Sequence, residues 1–203
     1  EEAEKIAKLA GKGMYEKYAL VEGAKCCSQE DLVQQYLNSQ WLPNMSITGA
    51  DDLPPIKMAG NAVRPKTSVR ISMRLPPTLD PKKGEEIMIK KLTTDVPYNA
   101  KVTVEGGHCG SGWCMKELPA YLDGALKKAG QDFYDQPTGS YGMGGSIPFL
   151  SELEKMMPTT NIVALGLIGP NSNAHGPNEM IHLTYAKKLT CSLAQVIGAI
   201  GAN

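Results

Sequence analysis

Residues 161–179 read NIVALGLIGPNSNAHGPNE. The first nine form a continuous apolar run, which is typical of a strand buried on both faces of a sheet. The rest form a loop rich in Asn, Gly and Pro, and loops at the carboxyl ends of strands carry the sites of open α/β sheets. His175 in this loop is therefore a candidate ligand, base or phosphate contact. An ordinary surface histidine is the alternative interpretation.

Predicted helices and loops alternate on either side of this stretch. A closing helix is predicted from residue 181 to about 200, and two earlier helices are predicted at 116–130 and from about Ser146 to 157. Together with the apolar run, this alternation predicts one edge of a doubly wound sheet within residues 107–203.

The glycine-rich loop GMGGSIP, residues 142–148, precedes the second of these helices. Free main-chain N–H groups and the helix dipole attract an anion at such a place. The anion is either a phosphate or a carboxylate, and no lysine of the Walker type follows the glycines. A plain turn with a helix cap is the alternative interpretation.

The first 106 residues show a different order of elements. Two strands are predicted, at 45–50 and 67–75, and Arg74 lies on the polar face of the second. The other predicted elements are a helix within 1–19, a helix at 29–37 opened by a Ser28–Asp31 capping box, a helix capped by Asp80, and a strand at 99–106. This order predicts a split βαβ sandwich that lacks its opening strand.

Composition excludes several classes of protein. Of the 203 residues, 42% are hydrophobic, and 21 Lys and Arg balance 21 Asp and Glu, so no basic field predicts nucleic-acid binding. The longest apolar run is too short to cross a bilayer, which predicts no membrane association. Five cysteines, an odd number, favour a reducing compartment, and a cytoplasmic location is therefore predicted. His108, Cys109 and Cys114 in HCGSGWC lack the paired spacing of a structural zinc site.

Two longer stretches resemble a known family. YGMGGSIPFLSELEKMMPTTNIVALGLIGPNSNAHGPNE, residues 141–179, resembles the C-terminal segment of the zinc-dependent aminoacylase/carnosinase-type metallopeptidases. Carboxypeptidase G, succinyl-diaminopimelate desuccinylase and cytosolic dipeptidases belong to that family. GNAVRPKTSVRISMRLPPTLDP, residues 60–81, resembles the second half of the family's lid, or dimerisation, domain.

The resemblance implies an α/β fold in two parts. Residues 1–106 would form part of a split βαβ, ferredoxin-like lid domain, and residues 107–203 the C-terminal part of a doubly wound zinc-peptidase catalytic domain. In the family the lid also mediates dimerisation, so a homodimer through residues 67–105 is expected.

The resemblance also implies roles for individual residues. His175 corresponds to a ligand of one of two zinc ions, and Gly145 and Ser146 correspond to groups that hold the substrate's carboxylate. Asn61 and Arg74 correspond to lid residues that reach the substrate, typically in the partner subunit, and a fixed guanidinium fork suits a carboxylate. His108 is a further substrate-contact candidate, whereas His182 is expected to be a helix residue without chemistry. Met143 stands where relatives often have Glu, a departure that bears on substrate preference.

The family's other metal ligands and its general base have no counterpart in the sequence. No His-x-Asp motif occurs, and the pairs Glu1-Glu2 and Glu85-Glu86 are in the wrong places for the family's Glu-Glu motif. The sequence is therefore expected to be the C-terminal half of a longer enzyme, with no catalytic residue of its own. Alone, it should be inactive.

Three functions remain open from the sequence. The first is a portion of a di-zinc metallopeptidase or amidohydrolase that cleaves dipeptides or N-acyl amino acids. The second is a non-catalytic dimerisation or binding module derived from this family. The third is a phosphate-binding α/β protein that uses the GMGG loop.

Overall fold

The chain divides into two units in a computed structural model that describes residues 1–11, 20–28, 30–143, 148–169 and 171–201. The sheet unit comprises residues 38–113 and 143–148, and the helical unit comprises residues 1–37, 114–142 and 149–203. The observed architecture is α/β, with helices and one two-stranded sheet among the described residues. No described helix is both long enough and apolar enough to span a membrane.

The helices and strands occur in the order α, α, β, β, α, α, α, α. They are α1 (Glu2–Ala10), α2 (Leu32–Gln40), β1 (Asn44–Asp51), β2 (Ser68–Arg74), α3 (Pro81–Thr93), α4 (Ala120–Tyr134), α5 (Pro148–Met156) and α6 (Leu183–Gly201), with 3₁₀ turns at Ile56–Met58 and Pro97–Asn99.

Strands β1 and β2 pair antiparallel, which confirms both predicted strands. Their register joins Met45 to Met73 and Ile47 to Ile71, with an irregularity between Ile47 and Gly49. Directly paired residues point to the same face of a sheet, so these four residues form one apolar face. The alternate pairs, Asn44 with Arg74 and Ser46 with Ser72, form a polar face, as the alternation in β2 predicts.

Helix α3 begins where the sequence predicts. The Asp80 carboxylate accepts hydrogen bonds from the N–H groups of Lys82 and Lys83, at 2.8 and 3.1 Å, and Pro81 occupies the first helical position. Gly84 is buried, and a Cβ there would come within 2.8 Å of Leu75 Cδ1. The absence of a side chain therefore lets α3 approach the residue that follows β2.

In the helical unit, α4 and α6 share a small core. Leu122 and Ala129 of α4 and Val196 of α6 are buried together, and Val163 packs against them. At one end the Asp132 carboxylate accepts hydrogen bonds from Lys128 and from Gln195 of α6, both at 2.6 Å. Both hydrogen bonds lower the pKa of Asp132, and the one from Lys128 has the larger effect.

The start of α2 corrects the predicted capping box. The helix begins at Leu32, and the cap is Asp31, whose Oδ1 accepts from Gln34 N–H at 2.9 Å. Ser28 instead has a left-handed backbone with φ of 58°, and its carbonyl accepts from the Gln35 side chain at 2.6 Å. Gln35 is buried, and the Ser28 carbonyl supplies an acceptor for its side-chain amide.

Two of the strands predicted from the sequence are wrong. Residues 161–169 and 99–106 form no strand in the described part of the chain. Residues 161–169 are also not buried on both sides, because Val163 packs on the core while Leu165 and Ile168 are 47% and 45% exposed. A strand needs a neighbour to bond with, and an apolar run does not specify one. The doubly wound sheet stays a prediction.

Some predicted boundaries also move. Helix α4 begins at Ala120 and runs on to Tyr134, beyond the predicted residue 130. Within the predicted helix of residues 1–19, α1 covers Glu2–Ala10, and residues 12–19 lie outside the described residues. Helix α5 is described from Pro148, so its predicted start at Ser146 also lies outside them.

Candidate functional site

The loop that carries His175 is built from residues in the left-handed backbone region. Asn171, Asn173, His175 and Asn178 have φ of 62°, 50°, 65° and 57°. Asn tolerates this region because its short side chain can hydrogen-bond locally, whereas most other residues avoid it. The three asparagines therefore explain how this segment can turn so tightly, and His175 is the member of the set that is not Asn.

Hydrogen bonds inside the loop hold it closed. The N–H of Met180 donates to the carbonyl of Ser172 at 3.0 Å, and the Asn173 side chain donates to the carbonyl of Pro177 at 2.6 Å. The N–H of Gly176 donates to the Asn173 carbonyl at 2.9 Å. Ser172 is only 5% exposed, and its hydroxyl accepts from Gly169 N–H at 2.9 Å. The loop is thereby tied to the end of the apolar run.

His175 itself is exposed at the tip of this loop. Its N–H donates to Glu179 Oε2 at 3.2 Å. Sequence reasoning missed Glu179 and Ser172, although the repeated asparagines of NSNAHGPN signal a loop with several left-handed residues.

A zinc ion would accept the His175 imidazole, but catalytic zinc takes three protein ligands. Across residues 1–11, 20–28, 30–143, 148–169 and 171–201, no three His, Cys, Asp or Glu side chains form a group that could hold a metal ion. The described residues therefore do not by themselves fit a catalytic metal.

The lid candidates lie in the sheet unit. Arg74 is the last residue of β2, paired with Asn44 on the polar face, and is exposed as a substrate-binding guanidinium would need to be. Asn61 is exposed in the connection between β1 and β2. Among the described residues, no hydrogen bond or ion pair joins Asn61, Arg74 and His108 to one another.

The segment around His108 contacts α3. The Glu85 carboxylate accepts a hydrogen bond from Gly107 N–H at 3.1 Å, and it also interacts with the Cys109 thiol. Partial loss of hydration, together with the hydrogen bond to Glu85, raises the pKa of Cys109. His108 is exposed between these two contacts. This arrangement disfavours a reactive thiolate at Cys109.

Two of the predicted substrate-binding residues, Gly145 and Ser146, lie outside the described residues. Met143, just before them, is described and exposed.

His182 differs from its predicted role as a helix residue. It lies one residue before α6, and its Nδ1 accepts a hydrogen bond from Tyr185 N–H at 3.3 Å. Its carbonyl accepts from Ala186 N–H at 2.9 Å. His182 is thus the N-terminal cap of α6, where an acceptor satisfies a free N–H of the first turn.

Comparison with known proteins gives matches at the level of structure. No protein-family model matches the sequence, and no match is found among curated proteins. The M20 family metallo-carboxypeptidase Sso-CP2 from Sulfolobus solfataricus matches 96% of the chain with a TM-score of 0.72 at 22% sequence identity. The dipeptidase Dug1p from Saccharomyces cerevisiae matches 100% of the chain with a TM-score of 0.65 at 18% identity. Human carnosine dipeptidase 1 matches 96% with a TM-score of 0.63 at 14% identity.

The chain spans less than half of each of these proteins, namely 44% of Sso-CP2, 44% of Dug1p and 45% of carnosine dipeptidase 1. At these identities the likeness is one of fold. The chain therefore has a fold that corresponds to a portion of these metallopeptidase and dipeptidase structures of the M20 type.

Proposed function

We propose that this chain is part of a metallopeptidase that hydrolyses dipeptides or N-acyl amino acids. One observation carries the proposal: three solved peptidase structures each match at least 96% of the chain, with TM-scores of 0.63 to 0.72. The resemblance of residues 60–81 and 141–179 to the zinc-dependent family supports it independently of the fold.

In this proposal His175 is one ligand of one of two zinc ions. Its exposed position in a loop closed by several hydrogen bonds supports that role, since a ligand must be accessible and held. The other metal ligands and the general base would come from residues outside this sequence. The isolated chain would then be inactive.

The substrate contacts are proposed in both of the domains predicted from the sequence, residues 1–106 and 107–203. Arg74 would bind the substrate's terminal carboxylate through its planar fork, and Asn61 would contact the substrate beside it. Gly145 and Ser146 would hold a carboxylate with a main-chain N–H and a hydroxyl, and His108 would be a further contact. The exposure of Asn61, Arg74 and His108 is compatible with these roles.

We also propose the domain roles implied by the resemblance. Residues 1–106 would belong to the lid and dimerisation domain, and residues 107–203 to the catalytic domain. A homodimer would form through the lid, and a cytoplasmic location is supported by five cysteines that are all free thiols.

The experiment is a metal and activity assay on protein produced from its native gene. We expect bound zinc and hydrolysis of a panel of dipeptides and N-acyl amino acids. His175→Ala should remove about one zinc ion and lower the turnover rate at least about a hundredfold, as expected when a metal ligand is lost. His182→Asn is the matched control, because Asn keeps the helix-capping acceptor and His182 has no proposed metal role.

Each outcome separates the candidate functions. Full turnover in His175→Ala would contradict the metallopeptidase proposal. Native protein that dimerises but holds no zinc and hydrolyses nothing would instead identify a non-catalytic binding module. Saturable binding of inorganic phosphate without hydrolysis would favour the phosphate-binding alternative.

A further inference from the structure

We propose that Glu179 is a positioning residue that holds the main chain of His175 in its left-handed conformation. The His175 N–H donates to Glu179 Oε2 at 3.2 Å, and His175 has φ of 65°. The inference rests on the proposed function, because it concerns how the proposed metal ligand is held. The contact itself does not depend on any metal.

His175 shares its left-handed backbone with three asparagines of the loop. Asparagine, at positions Asn171, Asn173 and Asn178, adopts this region readily. Histidine is also enriched in this region relative to most residues, so the Glu179 contact favours a conformation that histidine can adopt. The carboxylate of Glu179, four residues along the chain, supplies an acceptor for the His175 N–H.

Glu179 is itself held on its C-terminal side. The next residue, Met180, donates its N–H to the carbonyl of Ser172 at 3.0 Å, and Ser172 is buried. On the N-terminal side, the Asn173 side chain donates to the carbonyl of Pro177 at 2.6 Å. The carboxylate therefore projects from a backbone that is anchored on both sides.

The consequence for the proposed site is pre-organisation. A ligand whose backbone is already fixed loses less conformational freedom on binding than one in a mobile loop. Glu179 would act through His175 rather than touch the metal or the substrate. Removing its acceptor should loosen His175 without unfolding the helical unit, because the contact lies at the exposed tip of the loop.

Amide hydrogen exchange of this chain, measured residue by residue by NMR, tests the contact. Glu179→Ala should accelerate exchange of the His175 amide by about fivefold to tenfold, the effect of losing one hydrogen bond. Glu179→Gln keeps an acceptor oxygen and should restore exchange to within about twofold of the parent. Glu152→Ala is the matched control, because it removes another exposed carboxylate, paired with Lys155 on α5.

The amides of Gly176 and Met180 serve as internal references, since they bond to Asn173 and Ser172 rather than to Glu179. An unchanged His175 amide in Glu179→Ala would overturn the proposal. Equal acceleration of all three amides would also overturn it, because Glu179 would then stabilise the loop as a whole.

A titration with zinc alone, followed by the His175 side-chain NMR signals, separates this proposal from the proposed function. A selective response at His175 that weakens in Glu179→Ala and returns in Glu179→Gln would support both the Glu179 proposal and the metal role of His175. The expected exchange pattern with no zinc response in the native-gene protein would support the Glu179 contact and contradict the metal role of His175.

Discussion

At the scale of single residues, hydrogen-bond partners decide what a side chain of a given type can do. His182 and His175 are both exposed histidines, but one caps α6 through its ring and the other is held through its main chain. Cys109 is likewise distinguished by a neighbour, the carboxylate of Glu85 on α3. None of these partners is adjacent in sequence, so residue type alone did not identify them.

Cys109 should react slowly with alkylating reagents because its thiol pKa is raised above the ordinary value of 9.0 by partial loss of hydration and by Glu85. A raised pKa means less thiolate at pH 8, and the thiolate is the reacting form. Glu85→Gln removes the charge but keeps an acceptor for Gly107 N–H. Alkylation of Cys109, followed by peptide mass spectrometry, should become about twofold to fivefold faster in this variant.

The control for this prediction is Glu86→Gln, which removes the adjacent carboxylate on the same helix. Its Cys109 should react at the parent rate. Equal rates in Glu85→Gln and the parent would contradict the assignment of the raised pKa to Glu85.

At the scale of elements, space around the helix decides whether a helix-weakening residue is tolerated or required. Helix α4 contains two interior glycines, which would both be poor choices on propensity alone. A Cβ at Gly124 would meet nothing within 4 Å, whereas one at Gly130 would lie 2.8 Å from the Gln136 carbonyl oxygen. Gly130 thus lets the chain after α4 fold back onto the helix, where Thr138 donates to the Leu126 carbonyl at 2.7 Å.

The same substitution at these two glycines should therefore have opposite effects. Gly124→Ala should raise the free energy of unfolding by about 0.5–1 kcal/mol, through helix propensity and a less flexible unfolded chain. Gly130→Ala should lower it by about 1–3 kcal/mol, because overpacking outweighs the gain in propensity. Denaturant unfolding measures both. Shifts in the same direction would contradict the steric argument.

At the scale of the whole molecule, the sheet unit has unpaired strand edges and exposed apolar side chains, and we predict self-association from them. In the described two-stranded sheet, each strand has one edge without a strand partner. Beside the free edge of β2, Val69 and Met73 are 48% and 37% exposed. Unpaired edges with exposed apolar side chains are places where a second chain can add.

We expect this chain to form a dimer in light scattering at high concentration. Met73→Asp should weaken association by about tenfold or more, because it introduces a charge on the apolar face. Ser72→Asp is the matched control on the polar face of the same strand, where it lies between Arg70 and Arg74. A strict monomer at every concentration would contradict dimerisation through the sheet.

The sequence by itself determined the features that depend on local chemistry. Asp80 and Pro81 specify the start of α3, and alternation in residues 68–74 specifies β2 and the face that carries Arg74. The turn residues around His175 specify a loop. The resemblance of residues 141–179 indicated the peptidase fold that the solved structures share.

Only the tertiary structure decided the features that depend on neighbours distant in sequence. The apolar run at 161–169 packs through Val163 on α4 and α6 and has no strand beside it among the described residues. An apolar pattern reports that a segment avoids water, but the identity of its partner is set by where the rest of the chain lies.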